Sequence, residues 1–227
     1  MVDKMVISYN LVYSRRKTIG LIVNRDRSIV VRVPQGVTKE EIENFIERKK
    51  YWLYTKLKHP QKYTKQIKKE FISGAAILYL GRYYKLEVIK ERFDGIKFSN
   101  RFIISKNNQK NAMKLFREWY INKAKEKIVP KAWFFSKNMG VKPKEIRIRE
   151  FKYRWGSCTP KNNISFNWRL MKAPTFVIDY VIVHELAHLL EANHSQRFWN
   201  IVRAQIPTFL KAKEWLKENG YLLEVDF

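Results

Sequence analysis

The strongest constraint on this fold is a pair of histidines four residues apart, His184 and His188, inside an apolar stretch that runs from Phe176 to about Ala192. The spacing of the apolar residues predicts a helix. On a helix, residues four apart lie on one face, one turn from each other, so both imidazoles can reach a single metal ion. Glu185 lies about 100° round the helix from His184. Its carboxylate can therefore lie beside the metal without binding to it.

This arrangement is rare by chance. The chain has 4 histidines and 16 glutamates among 227 residues, which gives about 0.005 such patterns per chain of this composition. Three of the four histidines also fall within eleven residues, because His194 follows His188 by six positions. A catalytic zinc site takes three protein ligands and leaves the fourth position open. The cluster therefore predicts a Zn²⁺ site with His184, His188 and His194 as ligands, in preference to a buried helix whose histidines only satisfy core hydrogen bonds.

Glu191 competes with His194 for the third ligand position. It lies one turn beyond His188 on the same helix, but this spacing is short for a further helical ligand. The spacing of His194 instead suits a chain that leaves the helix and turns back to the metal. Asn193 tolerates the left-handed conformation and is a candidate for ending the helix. We favour His194 as the third ligand.

Glu185 is the candidate general base. Zinc lowers the pKa of the water that it binds to about 7. A carboxylate beside the metal can then accept a proton from that water at neutral pH. The sequence thus predicts a hydrolytic site with Glu185 as its catalytic residue.

Upstream of this site the chain is rich in predicted strands. Short apolar or alternating runs predict strands at 5–12, 18–23, 29–33, 71–72, 76–80, 83–89 and 102–104. Thr38, followed by acidic residues, predicts the start of a helix. The pattern is helical from Asn111 to about Asn138, with Pro130 expected to kink or divide it and Gly140 expected to stop it. Further strands are predicted at 145–151 and 164–167, and further helices at 195–204 and 207–218, the last ended by Asn219-Gly220.

These elements predict an α+β fold in two parts. A β-rich, basic region is expected over residues 1–107, and a catalytic domain built round the His184-Glu185-x-x-His188 helix over residues 108–227. The charge is unevenly placed: 36 basic and 14 acidic residues (+22) lie in 1–150, against 10 and 7 (+3) in 151–227. Such a field attracts nucleic acid, nucleotides or acidic proteins. A lysine-rich composition that only keeps the surface solvated is an equal alternative.

Composition also bears on location. No run of about 18 apolar residues exists, so no membrane-spanning helix is expected, and the N-terminus lacks the apolar region of a signal peptide. The single cysteine, Cys158, has no partner for an internal disulfide. A reducing, cytoplasmic location is the simplest interpretation. The oligomeric state is not determined by these observations.

Several further motifs surround the histidine cluster. They are Arg154-Trp155-Gly156-Ser157-Cys158, Asn167-Trp168-Arg169-Leu170, Ala173-Pro174, Asp179-Tyr180-Val181, His194-Ser195 and Phe198-Trp199, with Ser14-Arg15-Arg16-Lys17-Thr18, Val33-Pro34 and Tyr79-Leu80-Gly81-Arg82 upstream. With the cluster itself, they closely resemble the YgjP-like metallopeptidase family, which is related to the SprT-like and WLM-type zinc proteases. The resemblance implies a compact zincin-like catalytic domain with zinc on His184, His188 and His194 and Glu185 as base. It is not close to the metzincins, because Glu191 replaces their turn glycine and no methionine follows the site.

Other residues near the cluster have two interpretations each. Arg154 and Ser157 are candidates for binding substrate or an oxyanion, or for a structural ion pair in a turn anchored by Trp155. Tyr180 is expected to pack more than to line the site, and Cys158 to be a small buried thiol rather than a fourth ligand. The remaining expectations are a helix-surface or indirect role for Asp179, core positions for Phe198 and Trp199, and a surface position for His59.

Three functions fit these residues. The first is a zinc peptidase acting on protein or peptide substrates, with nucleic-acid-bound proteins as candidate targets by analogy with SprT-type relatives. The second is a zinc-dependent hydrolase of nucleotide phosphoanhydrides, although the chain has no Gly-rich phosphate loop. The third is a non-catalytic nucleic-acid-binding module in which zinc only stabilises the fold. A structural zinc site has no use for Glu185, so the first function is preferred.

Overall fold

The structure, a computed structural model, describes residues 8–24, 28–57, 70–151 and 154–224. The chain forms two compact units, Met1–Gln66 and Ile67–Phe227. Both contain strands and helices, so the expected mixed α+β class is confirmed. Among the described residues, no helix is long and apolar enough to cross a membrane.

The first unit is a small sheet with two helices. Its elements are β1 (Asn10–Tyr13), β2 (Gly20–Val23), β3 (Ile29–Val33), α1 (Lys39–Arg48) and α2 (Lys50–Leu57). The central strand β3 pairs in parallel with β1 and antiparallel with β2. Thr38 caps α1 as predicted: its hydroxyl accepts a hydrogen bond from the Glu41 N–H at 3.3 Å, and the Glu41 carboxylate accepts one from the Thr38 N–H at 2.9 Å. Part of the predicted strand 5–12 lies outside the described residues.

The second unit contains two sheets and four helices. Its elements are β4 (Ala76–Tyr79), β5 (Arg82–Ile89), β6 (Lys97–Phe98), β7 (Phe102–Ser105), α3 (Ala112–Asn138), β8 (Glu145–Arg149), β9 (Gly156–Cys158), β10 (Asn163–Asn167), α4 (Thr175–Ala187), α5 (Gln196–Gln205) and α6 (Phe209–Glu224). The sheets have the strand orders β4-β5-β7-β6 and β8-β10-β9. In the second sheet, β10 is parallel to β8 and antiparallel to β9, which leaves β9 at an edge.

The long helix α3 joins the two sheets into one core. Phe116 and Tyr120 on its buried face share that core with Leu86 and Phe102 of the preceding sheet, and all four are at most 1% exposed. The expected boundary at 107/108 therefore falls inside this unit, and the compact units divide at 66/67 instead. A division of roles between residues 1–107 and 108–227 stays a prediction.

Pro130 does not divide α3, which is continuous from Ala112 to Asn138, and the alternative that Pro130 kinks the helix stays a prediction. A proline inside a helix costs about 3 kcal/mol through its lost hydrogen bond and ring clash. Ile128 and Ala132 flank it and are both fully buried, so the packing on either side holds the helix together. Gly140 follows the helix with a φ of 66°, and its N–H donates to the Lys137 carbonyl at 3.1 Å, which confirms the predicted stop.

Two other local predictions were wrong. Residues 71–72 form no strand; the Phe71 ring instead stacks on Phe116, with centroids 5.4 Å apart. The C-terminal helix α6 does not end at Asn219-Gly220 but continues to Glu224. Gly220 is buried, and a Cβ placed there would lie 3.6 Å from the Trp155 ring, so tertiary packing overrides its weak helix propensity.

Candidate metal centre

The helix α4 carries two of the three clustered histidines. It is apolar on all sides and packs against α3, α5, α6 and β9, as expected for a helix in the centre of a domain. It ends with His188 as its C-cap, about four residues earlier than the sequence predicts. The chain leaves through a turn in which the Glu191 N–H donates to the Ala187 carbonyl at 3.0 Å. This early exit returns the chain toward the helix.

The turn brings His194 to the other two histidines. Ring nitrogens of His184, His188 and His194 all lie within 4.8 Å of one another. The Nε2 atoms of His184 and His194 are 3.0 Å apart. Ser195, the next residue, caps α5 by accepting a hydrogen bond from the Phe198 N–H at 3.3 Å, which fixes the position at which His194 enters the cluster. Among the described residues, this is the group of three or more potential ligands suited to a metal ion.

Polar neighbours hold the Nδ1 atoms of two rings. The Nδ1 of His188 lies 3.2 Å from the Glu191 carbonyl oxygen. Because a carbonyl oxygen only accepts hydrogen bonds, this contact places the ring proton on Nδ1. The lone pair of Nε2 is then free to bind a metal ion. The Nδ1 of His184 lies 3.5 Å from the Tyr180 hydroxyl one turn earlier on α4. Both contacts direct Nε2 into the cluster.

Aromatic rings support the cluster from one side. The Phe198 ring is fully buried, and its centroid lies 4.7 Å from those of His188 and His194 and 5.0 Å from that of His184. The Trp199 ring stacks on His194, with centroids 5.6 Å apart and planes at 21°. Phe198 and Trp199 thus lie in the core as expected, and between them they also contact every histidine of the cluster.

The same surroundings favour the neutral form of two imidazoles, those of His184 and His194. Burial, followed by the charges of His188, His194 and Lys213, lowers the pKa of His184 to about 3. Burial, His188 and Lys213 also lower the pKa of His194. A metal ligand must offer an unprotonated nitrogen, so these groups are ready to bind a cation near neutral pH.

Glu185 is buried against the edge strand β9. It is 7% exposed, and burial raises its pKa to about 7 against the opposing effects of the Arg154 charge and a backbone hydrogen bond from Cys158. A Cβ placed on Gly156 would lie 2.5 Å from Glu185 Cγ and 2.6 Å from its Oε1. The absence of a side chain at Gly156 therefore makes room for the carboxylate.

The sequence matches the YgjP-like, metallopeptidase domain family over residues 17–219. The chain belongs to the YgjP-like metallopeptidase family. Among solved structures, it is similar to the metallopeptidase zymogen of Pyrococcus abyssi abylysin, with 19% identity, a TM-score of 0.38, and coverage of 41% of this chain and 95% of that one. No match is found among curated proteins. Family membership makes this chain a metal-dependent peptidase.

Arg154 and Trp155 have separate roles in this YgjP-like domain. The Trp155 ring packs against the core, and its carbonyl accepts a hydrogen bond from the Asn167 N–H at 2.8 Å. Trp155 thus anchors the turn as expected. The Arg154 guanidinium is exposed, donates to Ser157 Oγ at 3.3 Å, and forms no ion pair with any carboxylate that the structure describes. The structural ion pair considered for Arg154 is absent from that part of the chain.

The remaining candidates lie at or beside the cluster. Tyr180 is 6% exposed and packs as expected, while its hydroxyl also contacts His184. Cys158 is a half-buried thiol whose pKa is raised by burial and by Glu185, and Asp179 pairs with Lys131 of α3 at 2.5 Å, away from the histidines. Glu191 contributes its backbone carbonyl to His188. His59 lies outside the described residues.

Three features of the centre escaped the sequence analysis. They are the steric role of Gly156, the packing of Phe198 against all three imidazoles, and the charge of Lys213 near His184 and His194. The roles of Gly156 and Lys213 depend on residues distant in sequence, and the contacts of Phe198 depend on the turn that joins α4 to α5. A glycine beside a motif tryptophan was visible, but no local pattern indicates which side chain fills the space next to it.

Proposed function

We propose that this metallopeptidase is a zinc enzyme of the zincin type, with His184, His188 and His194 as ligands and Glu185 as general base. The observation that carries the proposal is the convergence of three imidazoles within 4.8 Å, with Glu185 on the same helix as two of them. Three histidines form the ligand set of many catalytic zinc sites, which keep a fourth position free.

The geometry fits zinc. Two nitrogens bound to a tetrahedral zinc ion at about 2.05 Å each lie about 3.3 Å apart, close to the 3.0 Å between the Nε2 atoms of His184 and His194. The contacts of Nδ1 with Tyr180 and Glu191 supply the outer hydrogen bonds that orient histidine ligands. The imidazoles also favour zinc over magnesium or calcium, which prefer oxygen ligands.

In this proposal Glu185 moves the protons of the reaction. When bound, zinc supplies a Lewis acid that activates water and polarises the scissile carbonyl. The Glu185 carboxylate accepts a proton from the attacking water and delivers it to the nitrogen of the leaving amine. In the metal-free protein burial raises the pKa of Glu185 to about 7. A divalent cation beside it favours the ionised carboxylate, which is the form that a general base requires.

The test compares zinc-loaded wild type with Glu185→Gln on unfolded proteins and on DNA-bound proteins, with products identified by mass spectrometry. The substitution keeps the three histidines and removes the base. We expect new peptide termini with wild type only, and equal zinc content in both proteins. Zinc binding without cleavage by wild type would contradict the peptidase mechanism. Hydrolysis of a nucleoside triphosphate by the same protein would then favour the phosphoanhydride hydrolase.

Nucleic-acid-associated proteins remain candidate targets because of the basic surface. An open groove of about 540 Å³ between α3 and β8 is lined by Lys125, Val129, Ile146, Arg147, Ile148 and Arg149. Arg147 pairs with Glu145, whereas no described carboxylate pairs with Lys125 or Arg149. Such a groove suits a phosphate backbone.

The nucleic-acid role is tested by the salt dependence of DNA binding. We expect the logarithm of the binding constant to fall with the logarithm of salt concentration, and the slope to fall by about 1 for each phosphate-contacting charge removed by Lys125→Gln or Arg149→Gln. Slopes unchanged in both variants would exclude this groove as the contact.

A further inference from the structure

Two exposed cations flank the histidine cluster, and the proposed mechanism uses neither. Arg154 lies on the side of Glu185. Its Nη1 is 3.3 Å from Ser157 Oγ, and its guanidinium carbon lies 5.6 Å from the centroid of the Phe151 ring. Ser157 follows Gly156, the residue whose backbone abuts Glu185. The guanidinium is therefore held at the edge strand, next to the general base.

Lys213 lies on the side of His194. Its Nζ is 4.5 Å from the centroid of the Trp199 ring, and that ring stacks on His194 at 5.6 Å. The contact of an ammonium with a tryptophan face is attractive and restrains the side chain. Lys213 contributes to the lowered pKa values of both His184 and His194, which is consistent with its position beside the cluster.

Among the described residues neither cation is held in an ion pair, although the Arg154 charge favours the ionised form of the nearby Glu185 carboxylate. In the described parts of the chain, no carboxylate lies within ion-pair distance of Arg154 or Lys213, whereas Arg117 and Lys131 pair with Glu150 and Asp179. An exposed cation that is not held in an ion pair lowers the free energy of an anion that binds beside it.

We propose that Arg154 and Lys213 bind acidic side chains of the substrate on the two sides of the scissile bond, so that the enzyme prefers acidic peptides. This inference rests on the proposed peptidase function. The two cations are anchored on different elements, Arg154 beside β9 and Lys213 on α6. Two separate anchors suit an extended chain with separated charges. A phosphate site instead gathers cations and backbone N–H groups round one point, commonly on a Gly-rich loop, and the sequence has no such loop.

The binding test uses zinc-loaded Glu185→Gln protein, which keeps the ligands but does not turn over, and a set of fluorescent peptides. The peptides share one sequence except for Glu, Gln or Lys on either side of the scissile bond. We expect the Glu peptides to bind about tenfold more tightly than the Gln peptides, as for a charge-assisted hydrogen bond. Added Arg154→Gln is expected to remove the preference on one side, and added Lys213→Gln the preference on the other.

Charge-matched controls separate recognition from a general effect of net charge. Arg92→Gln, after β5, and Lys211→Gln on α6 each remove one exposed positive charge elsewhere on the same unit. Both are expected to keep the preference, and Arg154→Lys is expected to restore part of what Arg154→Gln loses. Cleavage of the same peptides by wild type is measured in parallel as kcat/KM.

The outcomes distinguish the inference from the proposed function. Equal affinity for Glu and Gln peptides, or a preference that survives both Arg154→Gln and Lys213→Gln, overturns the inference even if wild type cleaves every peptide. A preference lost in the two variants supports it. If that preference occurs but wild type cleaves none of the peptides, the recognition stands and the peptidase mechanism fails. Tighter binding of a nucleoside triphosphate than of any peptide, dependent on both cations, overturns the choice of an acidic peptide.

Discussion

Filling the space beside Gly156 tests directly whether its strand, β9, holds the proposed general base, Glu185, in position. Replacing Gly156 with alanine adds a Cβ at 2.5 Å from Glu185 Cγ, 2.8 Å from Cδ and 2.6 Å from Oε1. Carbon atoms in contact prefer about 3.5–4.0 Å, so the overlap with Cγ is about 1 Å or more. Glu185 lies on the buried helix α4, which packs on α3, α5, α6, β9 and β10 and has little freedom to withdraw.

The protein can relieve this overlap in two ways, and each has a measurable effect on activity or stability. If Glu185 rotates out of the overlap, its carboxylate leaves the position beside β9, and a displacement of about 1 Å costs about 100-fold in kcat/KM. If the strand and helix separate instead, overpacking lowers the free energy of unfolding by about 1–3 kcal/mol. Rotation of Glu185, or a shift of β9 away from a stationary α4, leaves the three histidines in place, so zinc affinity is then expected to change by less than about threefold.

The assay combines peptide cleavage, zinc competition and denaturant unfolding. Gly220→Ala is the matched control, because its Cβ meets Trp155 at an ordinary 3.6 Å inside a helix, where alanine adds about 0.5–1 kcal/mol of stability. In a double-mutant cycle, Glu185→Ala removes all three overlapping atoms. In that background Gly156→Ala should lower the free energy of unfolding by about 1 kcal/mol less than it does in the wild type. Full activity of Gly156→Ala, or an identical destabilisation in both backgrounds, would refute the steric interpretation.

Three further predictions concern the ligands themselves. Tyr180→Phe removes the hydroxyl beside His184 Nδ1 and is expected to weaken zinc binding by about tenfold; unchanged affinity in a zinc competition titration would exclude the contact. Phe198→Ala removes a fully buried ring that packs against the three imidazoles. It is expected to lower the free energy of unfolding by about 3–5 kcal/mol. A loss below about 1 kcal/mol in denaturant unfolding would contradict that packing. In metal-free protein, His184 has a pKa of about 3 instead of 6.5, so the unfolded chain binds more protons between these values. The free energy of unfolding should therefore fall as the pH drops below 6.5, by on the order of a few kcal/mol. The control is His184→Phe, also measured in the presence of a chelator. The same decline in this variant would show that protonation of His184 is not the cause.

The sequence predicted the parts of the fold that depend on neighbours along the chain. The helix start at Thr38 follows from a side-chain hydrogen bond to a residue three positions away, and the strand 29–33 from a run of β-branched residues. The proximity of His184 and His188 follows from helical spacing alone. These predictions succeed because each interaction spans four residues or fewer.

The predictions that failed depend on contacts between distant segments. The helix α3 continues through Pro130 because buried residues on both sides pack against sheets elsewhere in the chain. The early end of α4 depends on how the following turn packs against α5. The partner of Gly156 is Glu185, 29 positions later, and no periodicity relates the two. Such contacts follow from the arrangement of whole elements and not from local propensity.

The structure holds the ligands and the base by different means, and this separation has a functional consequence. The imidazoles are oriented by Tyr180 and a carbonyl of the turn after α4, with Phe198 beneath them, whereas the carboxylate of Glu185 rests on β9. Perturbing the first set changes metal affinity, and perturbing the second changes proton transfer in an enzyme that still holds its metal. Metal content and turnover should therefore vary independently among variants. If every substitution in β9 also released zinc, the base and the ligands would not be held independently, and this short edge strand would be part of the metal site itself.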